Sequence, residues 1–172
     1  MTSNSSSIDP AVPLPTGEYE VFLSFRGPDV RKSFVDCLYS YLVRSKIRTF
    51  RDEEELRKGD TIAHSLVQAI TESKIYIPIL SESYASSKWC LQELAKMVEC
   101  WKSGGGAKGQ HIIIPALYFM NPREVRHPDS GPYKESFEQH NLKHDPETIL
   151  EWKGALQEVG KMKGWTVKDS VR

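Results

Sequence analysis

With 172 residues, 39% of them apolar and 27% charged, the chain has the size and composition of one folded domain with its own core. Its 23 basic residues balance 23 acidic ones, which argues against a domain built to grip nucleic acid or an anionic membrane surface. No apolar run approaches the roughly 18 residues needed to span a bilayer.

The first stretch, "MTSNSSSIDPAVPLPTG", has neither a basic leader nor an apolar segment, so it does not read as a signal peptide. Its Ser and Pro content suits a flexible lead-in over residues 1–17. Three cysteines, Cys37, Cys90 and Cys100, sit in helical patterns beside apolar neighbours. They read as buried free thiols in a reducing compartment, cytoplasmic or nuclear. The sequon at Asn4 would then stay unmodified.

"YEVFLSF" (19–25) reads as a strand ending at Arg26-Gly27-Pro28. Phe34, Leu38 and Leu42 recur every four residues, so 33–43 reads as a helix. "IRTF" (47–50) is a short strand running into the charged loop "RDEEELRKGD". Asp60 or Thr61 can cap the next helix, striped by Ile62, Leu66 and Ile70. "KIYIPIL" (74–80) and "HIIIPALYF" (111–119) are apolar on both faces, as central parallel strands are. Pro78 and Pro115 speak against that, because proline normally belongs at a sheet edge. Between these strands, "SSKWCLQEL" (86–94) opens a helix with Leu91, Leu94, Val98 and Trp101 in register. Two more helices follow, near 133–142 and through Ile149, Trp152, Leu156 and Val159. The alternation predicts an α/β fold, a mostly parallel sheet with helices on both faces. In such sheets ligands bind beyond the carboxyl ends of the strands. Here those ends are 25–31, 51–60, 81–93 and 119–133.

Several motifs fail on context. Gly104, Gly106 and Gly109 match G-x-G-x-x-G, but after a helix and before a strand, the reverse of a dinucleotide fingerprint. There is no phosphate-binding P-loop and no G-x-S-x-G nucleophile elbow. His140 and His144 are four apart with no third ligand near in sequence, so a solvated pair is the default over zinc. Arg57 and Lys58 stand just before a helix start, a place suited to phosphate, although taken alone a solvated charged loop is the default reading. Arg26 and Arg31 after the first strand are either surface charge or anion contacts. Glu93 has two readings as well. A carboxylate in the first turns of a helix is stabilised by the helix dipole. The same carboxylate, beside Trp89 in a partly dry cleft, could stabilise an oxocarbenium-like centre or orient a ribose hydroxyl. The residues alone do not choose.

Five stretches together, "YEVFLSFRGPDVRKSF", "RTFRDEEELRKGD", "SESYASSKWCLQEL", "IIIPALYFMNPREVRH" and "MKGW", resemble the TIR domains of plant intracellular immune receptors. The resemblance runs from residue 19 to about 165, which puts a TIR unit at 18–166 and the start of a linker at 167–172. It implies a flavodoxin-like fold with a five-stranded parallel sheet. It implies cleavage of NAD+ or NADP+ at the nicotinamide–ribose bond on self-association, yielding nucleotides that signal defence and cell death. The nucleotide would be substrate, with no permanently bound cofactor and no metal. Glu93 would be the catalytic glutamate. Trp89, Ser87, Arg26, Gly27, Arg31, Asp52 and Arg57 would shape the substrate site. One self-association surface would use Ser33 and Phe34, with Cys37 where many relatives carry His. The other would use Lys163, Gly164 and Trp165. Trp165 has a plainer reading as a core residue closing the last helix, and Gly164 as that helix's C-cap. Partners would be further copies, other TIR domains and effector-linked receptor domains. A non-catalytic adaptor that only recruits TIR domains is the competing reading. A response regulator is disfavoured, because Arg26 and Ser81-Glu82 stand where acidic residues and a phospho-acceptor would be needed.

Overall fold

The computed structural model describes residues 19–51, 64–104 and 111–168. Strands β1 (Val21–Ser24), β2 (Thr49–Arg51), β3 (Ile75–Leu80), β5 (Ala116–Tyr118) and β6 (Trp165–Val167) form one parallel sheet in the order β2-β1-β3-β5-β6. A two-residue strand, β4 (Ile112–Ile113), pairs with the first half of β3. The register runs Thr49, Val21, Ile75 and Ile112 across one end, then Ile79, Ala116 and Trp165 across the other.

Helices cover both faces because neighbouring strand residues point to opposite sides. Val21, Leu23, Ile77 and Ile79 enter one core with Val30 and Val35. Against it pack Phe34, Leu38 and Leu42, on the helical run α1 (Pro28–Val30), a π-helical stretch Arg31–Val35, and α2 (Asp36–Arg44). Phe22, Tyr76 and Leu80 enter the larger core. There they meet α3 (His64–Glu72), α4 (Lys88–Ser103), and α7 (Pro146–Val159), which supplies Ile149, Trp152, Leu156 and Val159. Two shorter helices, α5 (Pro122–Arg126) and α6 (Lys134–Lys143), complete that side. The first helix starts five residues earlier than its apolar stripe suggests. Pro28 occupies its first turn, where a missing N–H costs nothing.

Pro78 lies inside the central strand β3 and is paired in register with Ser24 of β1. The carbonyls of Lys74 and Tyr76 accept from Ile112 and Ile114 on the β4 side. Two residues on, Pro78 faces the same side and has no N–H to give. The neighbouring strand is interrupted there, at Ile114–Pro115, and resumes as β5. Proline therefore splits one flank of a central strand instead of pushing it to the edge.

Four expectations are corrected. Cys37 is exposed and Cys100 half-buried; only Cys90 is buried, and all three are free. The C-cap of α7 is Gly160, and Gly164 instead leads into β6. Trp165 is 45% exposed on that strand and closes no helix. β6 runs through Val167, into the stretch read as linker. Residues 1–17, Arg57 and Lys58, Asp60 and Thr61, and the glycine loop beyond Gly104 lie outside the described residues.

Candidate active site at the carboxyl ends of β1 and β3

β1 ends at Ser24, whose side chain lies on the larger-core face with Phe22. β3 ends at Leu80, and a short 3-10 turn, Tyr84–Ser86, leads from it into α4. Ser87 caps that helix, accepting from the Cys90 N–H at 3.2 Å. Its hydroxyl oxygen is thus engaged in starting the helix.

Glu93 sits one turn further along α4 and is only 1% exposed. This corrects the expectation of a carboxylate in a partly dry cleft. The Ser24 hydroxyl donates to Glu93 Oε1 at 2.7 Å. Ser24 Oγ in turn lies 2.8 Å from the Tyr84 hydroxyl, which is also 3.2 Å from the Cys90 carbonyl. Ser24 and Tyr84 are both fully buried. Burial pushes the Tyr84 phenol well above its usual range, helped by the nearby Cys90 and Glu93, so it remains a protonated donor. A second tie joins the same two elements, from the Cys90 thiol to the Phe25 carbonyl at 3.4 Å. Cys90 and Glu93 thus hold α4 against the end of β1, where the chain passes on to Arg26 and Gly27.

The turn carrying Tyr84 is itself clamped. Tyr133, buried and kept protonated by that burial, donates to the Ser81 carbonyl at 2.7 Å. His140 bonds the Ala85 carbonyl through Nε2 at 2.8 Å. His140 is buried, and His144 half-buried; their rings stand edge-on to Trp152 at 5.2 and 4.9 Å. The solvated-pair reading of these histidines is therefore replaced by a buried contact. Burial lowers the His140 pKa below the ordinary histidine value. Among the described residues no group of three or more His, Cys, Asp or Glu is placed to hold a metal.

Of the expected substrate residues, Arg26 and Arg31 are half-buried in the segment leaving β1. Gly27 between them has φ +99°, a left-handed conformation that favours glycine. Trp89 is half-buried four residues before Glu93, so both project from one side of α4. The Lys88 ammonium stands 5.0 Å from its ring centre. Asp52 and Arg57 lie outside the described residues. Two surface clefts, one beside α5 and one between α4 and α7, are not lined by Glu93.

Of the association residues, Ser33 and Phe34 lie in the π-helical stretch and pack against β5, while Lys163, Gly164 and Trp165 lead into β6. Ser33 bonds the Tyr118 hydroxyl at 2.6 Å, and the Phe34 ring lies 6.1 Å from the Tyr118 ring. Phe119, next to Tyr118, is 51% exposed and stacks edge-on against it at 4.8 Å. Lys163 is exposed, and Trp165 pairs with Ala116 of β5. The two surfaces expected from the resemblance thus share β5 as a common support.

Sequence reasoning missed Ser24, Tyr84, Tyr133 and the strand β6. Ser24 had a usable signal, as the one small hydroxyl in an otherwise apolar strand, where a buried polar group needs a partner.

The family model for the TIR domain matches residues 18–172. The chain belongs to the TIR domain family. Among curated proteins, this TIR domain is 43% identical over 169 residues to disease resistance protein RPV1 of Vitis rotundifolia, covering 97% of this chain and 11% of that protein. It is 41% identical over 148 residues to TMV resistance protein N of Nicotiana glutinosa, covering 85% of this chain and 12% of that one. The TIR domain therefore spans about an eighth or less of the length of these relatives. Among solved structures it superposes on the TIR domains of the activated Roq1 resistosome, a complex described as directly recognizing the pathogen effector XopQ. The TM-score is 0.76 at 38% identity, with 88% of this chain and 89% of the other covered. The parallel sheet flanked by helices is the TIR fold.

Proposed function

We propose that this TIR domain is the signalling part of a plant immune receptor and cleaves NAD+ or NADP+ at the nicotinamide–ribose bond when several copies assemble. Its products would signal defence and hypersensitive cell death. The observation that carries this reading is the Glu93 carboxylate, fixed by a buried hydroxyl at the carboxyl end of β1. Relatives named for disease resistance, and a solved relative that is an activated assembly, support the setting.

The chemistry needs little else. Nicotinamide already leaves as a neutral molecule from a cationic ring, so no general acid is required. A carboxylate beside the anomeric carbon offsets the positive charge that grows there, and does so more strongly in a site screened from water. Trp89 would stack on a flat ring of the nucleotide, and Arg26 and Arg31 would meet its phosphates. Asp52 and Arg57 keep the substrate-site role implied by the resemblance. In a single chain Glu93 is covered, so cleavage requires a rearrangement that uncovers it. Assembly through Ser33, Phe34, Lys163, Gly164 and Trp165 is the event assigned to that step.

The same burial gives a second reading a footing: in a non-catalytic adaptor, Glu93 would be a structural acceptor for Ser24. Glu93→Gln separates the two. It keeps the volume and an acceptor oxygen but removes the charge. The test is NAD+ and NADP+ loss against protein concentration, with and without a crowding agent. Loss that rises faster than linearly in wild type and vanishes in folded Glu93→Gln supports the enzyme. Equal loss in both proteins, or none in either at any concentration, overturns it.

A further inference from the structure

Three buried polar side chains from three separate segments form one line: Tyr84 from the turn after β3, Ser24 from β1 and Glu93 from α4. All are 0–1% exposed. Each hydroxyl has one proton. The Ser24 proton goes to Glu93 at 2.7 Å. Ser24 Oγ must then accept, and the Tyr84 hydroxyl 2.8 Å away is the donor. The Cys90 carbonyl, at 3.2 Å, is the more distant acceptor for that same phenolic proton.

We propose that Tyr84 and Ser24 are positioning residues forming a directed relay, Tyr84 to Ser24 to Glu93, which sets the direction and the ionised state of the carboxylate. The relay has a second arrangement. When Glu93 takes up a proton it donates to Ser24, Ser24 donates to Tyr84, and Tyr84 turns to the Cys90 carbonyl. Each proton of this line has an acceptor in both arrangements, so the line can accommodate either form of the carboxyl without an orphaned hydroxyl proton. The other titratable groups acting on Tyr84 among the described residues are Cys90 and Tyr133, both buried. Tyr133 is committed to the Ser81 carbonyl and Cys90 to that of Phe25.

Relevance to turnover rests on the proposed NAD+ cleavage, but the relay itself is testable without it. In the 172-residue chain, labelled at Glu Cδ and Tyr Cζ, carbon NMR over pH reads the Glu93 carboxyl and the Tyr84 phenol together. In wild type the Tyr84 resonance should move with the Glu93 titration. In Ser24→Ala the Tyr84 response should shrink to the through-space effect of the charge and the Glu93 titration should move to higher pH, because a hydrogen bond to the charged form is gone. Ser24→Thr should restore both. If Ser24→Ala does not fold, Tyr84→Phe, which removes one oxygen, carries the same test through a smaller upward move. For activity, Ser24→Ala should lower kcat on the order of tenfold to a hundredfold with KM little changed, as expected for a misdirected group. The double variant should be little worse than Ser24→Ala, since the hydrogen-bond line from Tyr84 to Glu93 runs through Ser24. A Glu93 titration unchanged in Ser24→Ala and Tyr84→Phe overturns the relay even if the chain cleaves NAD+. A shifted titration in a chain that cleaves nothing upholds the relay and sinks only the enzymatic reading.

Discussion

Gly164 precedes β6 at a point where the chain touches β5's lead-in. A Cβ built there would lie 2.0 Å from the Pro115 carbonyl oxygen and 2.9 Å from both its carbonyl carbon and Cδ. All three belong to backbone or to a rigid ring, so no side chain can swing aside. Restoring ordinary carbon–oxygen contact demands a separation of more than about 1 Å between the two segments. The hydrogen bond from the Trp165 N–H to that same oxygen is 2.9 Å long, and such a displacement breaks it. Losing one ladder bond costs about 1 kcal/mol, and the forced backbone shift adds about 1–3 kcal/mol. Gly164→Ala should therefore destabilise the domain by about 2–4 kcal/mol. Urea unfolding reads this as a lower midpoint at unchanged slope, and hydrogen exchange should show the Trp165 amide losing protection first. An unfolding free energy within about 0.5 kcal/mol of wild type, with that amide still protected, would refute the steric argument. If it holds, loss of self-association in a Gly164 variant reports damage to the strand and says little about a contact surface.

Burial of Glu93 makes its truncation expensive. Glu93→Ala strips the Ser24 hydroxyl of its acceptor in a dry site and should cost about 1–3 kcal/mol, whereas Glu93→Gln should stay within about 1 kcal/mol of wild type by thermal unfolding. The His140 pKa is lowered in the folded chain, so the unfolded chain binds more protons just below the ordinary histidine pKa. The contribution of His140 should be complete above about pH 6.5 and fall away as pH drops below it, by at most about 1.4 kcal/mol per pH unit until the folded group also titrates. Stability curves of wild type and His140→Gln should converge on acidification; curves that stay parallel between pH 7.5 and 5 would contradict this.

The long periodic elements were legible in the sequence for a plain physical reason. β3, α4 and α7 bury whole faces, and that burial leaves unbroken apolar runs or stripes such as Leu91, Leu94 and Val98. β6 was not legible, because three residues of which two are exposed carry no pattern, and its position depends on Pro115, fifty residues earlier. Pro78 misled in the opposite direction: proline statistics describe whole strands, while here the missing donor meets a local gap in the neighbour. Glu93 was singled out by its place on the helix and by the resemblance, but its burial was not legible. That burial comes from Ser24 and Tyr84, 69 and 9 positions away, of which no helical or strand period takes account.

The interruption opposite Pro78 also gives the sheet a mechanical joint. In the hydrogen-bonded ladder of the described residues, β5 and β6 are fastened to the rest at Ile79↔Ala116 and Leu80↔Leu117. A load applied at the outer rim, at Trp165 or Phe119, is handed to the final two residues of β3. The next few residues of the chain end at the Tyr84 hydroxyl. A neighbour gripping that rim would pull on a short lever whose far tip meets the Ser24 hydroxyl that holds the carboxylate.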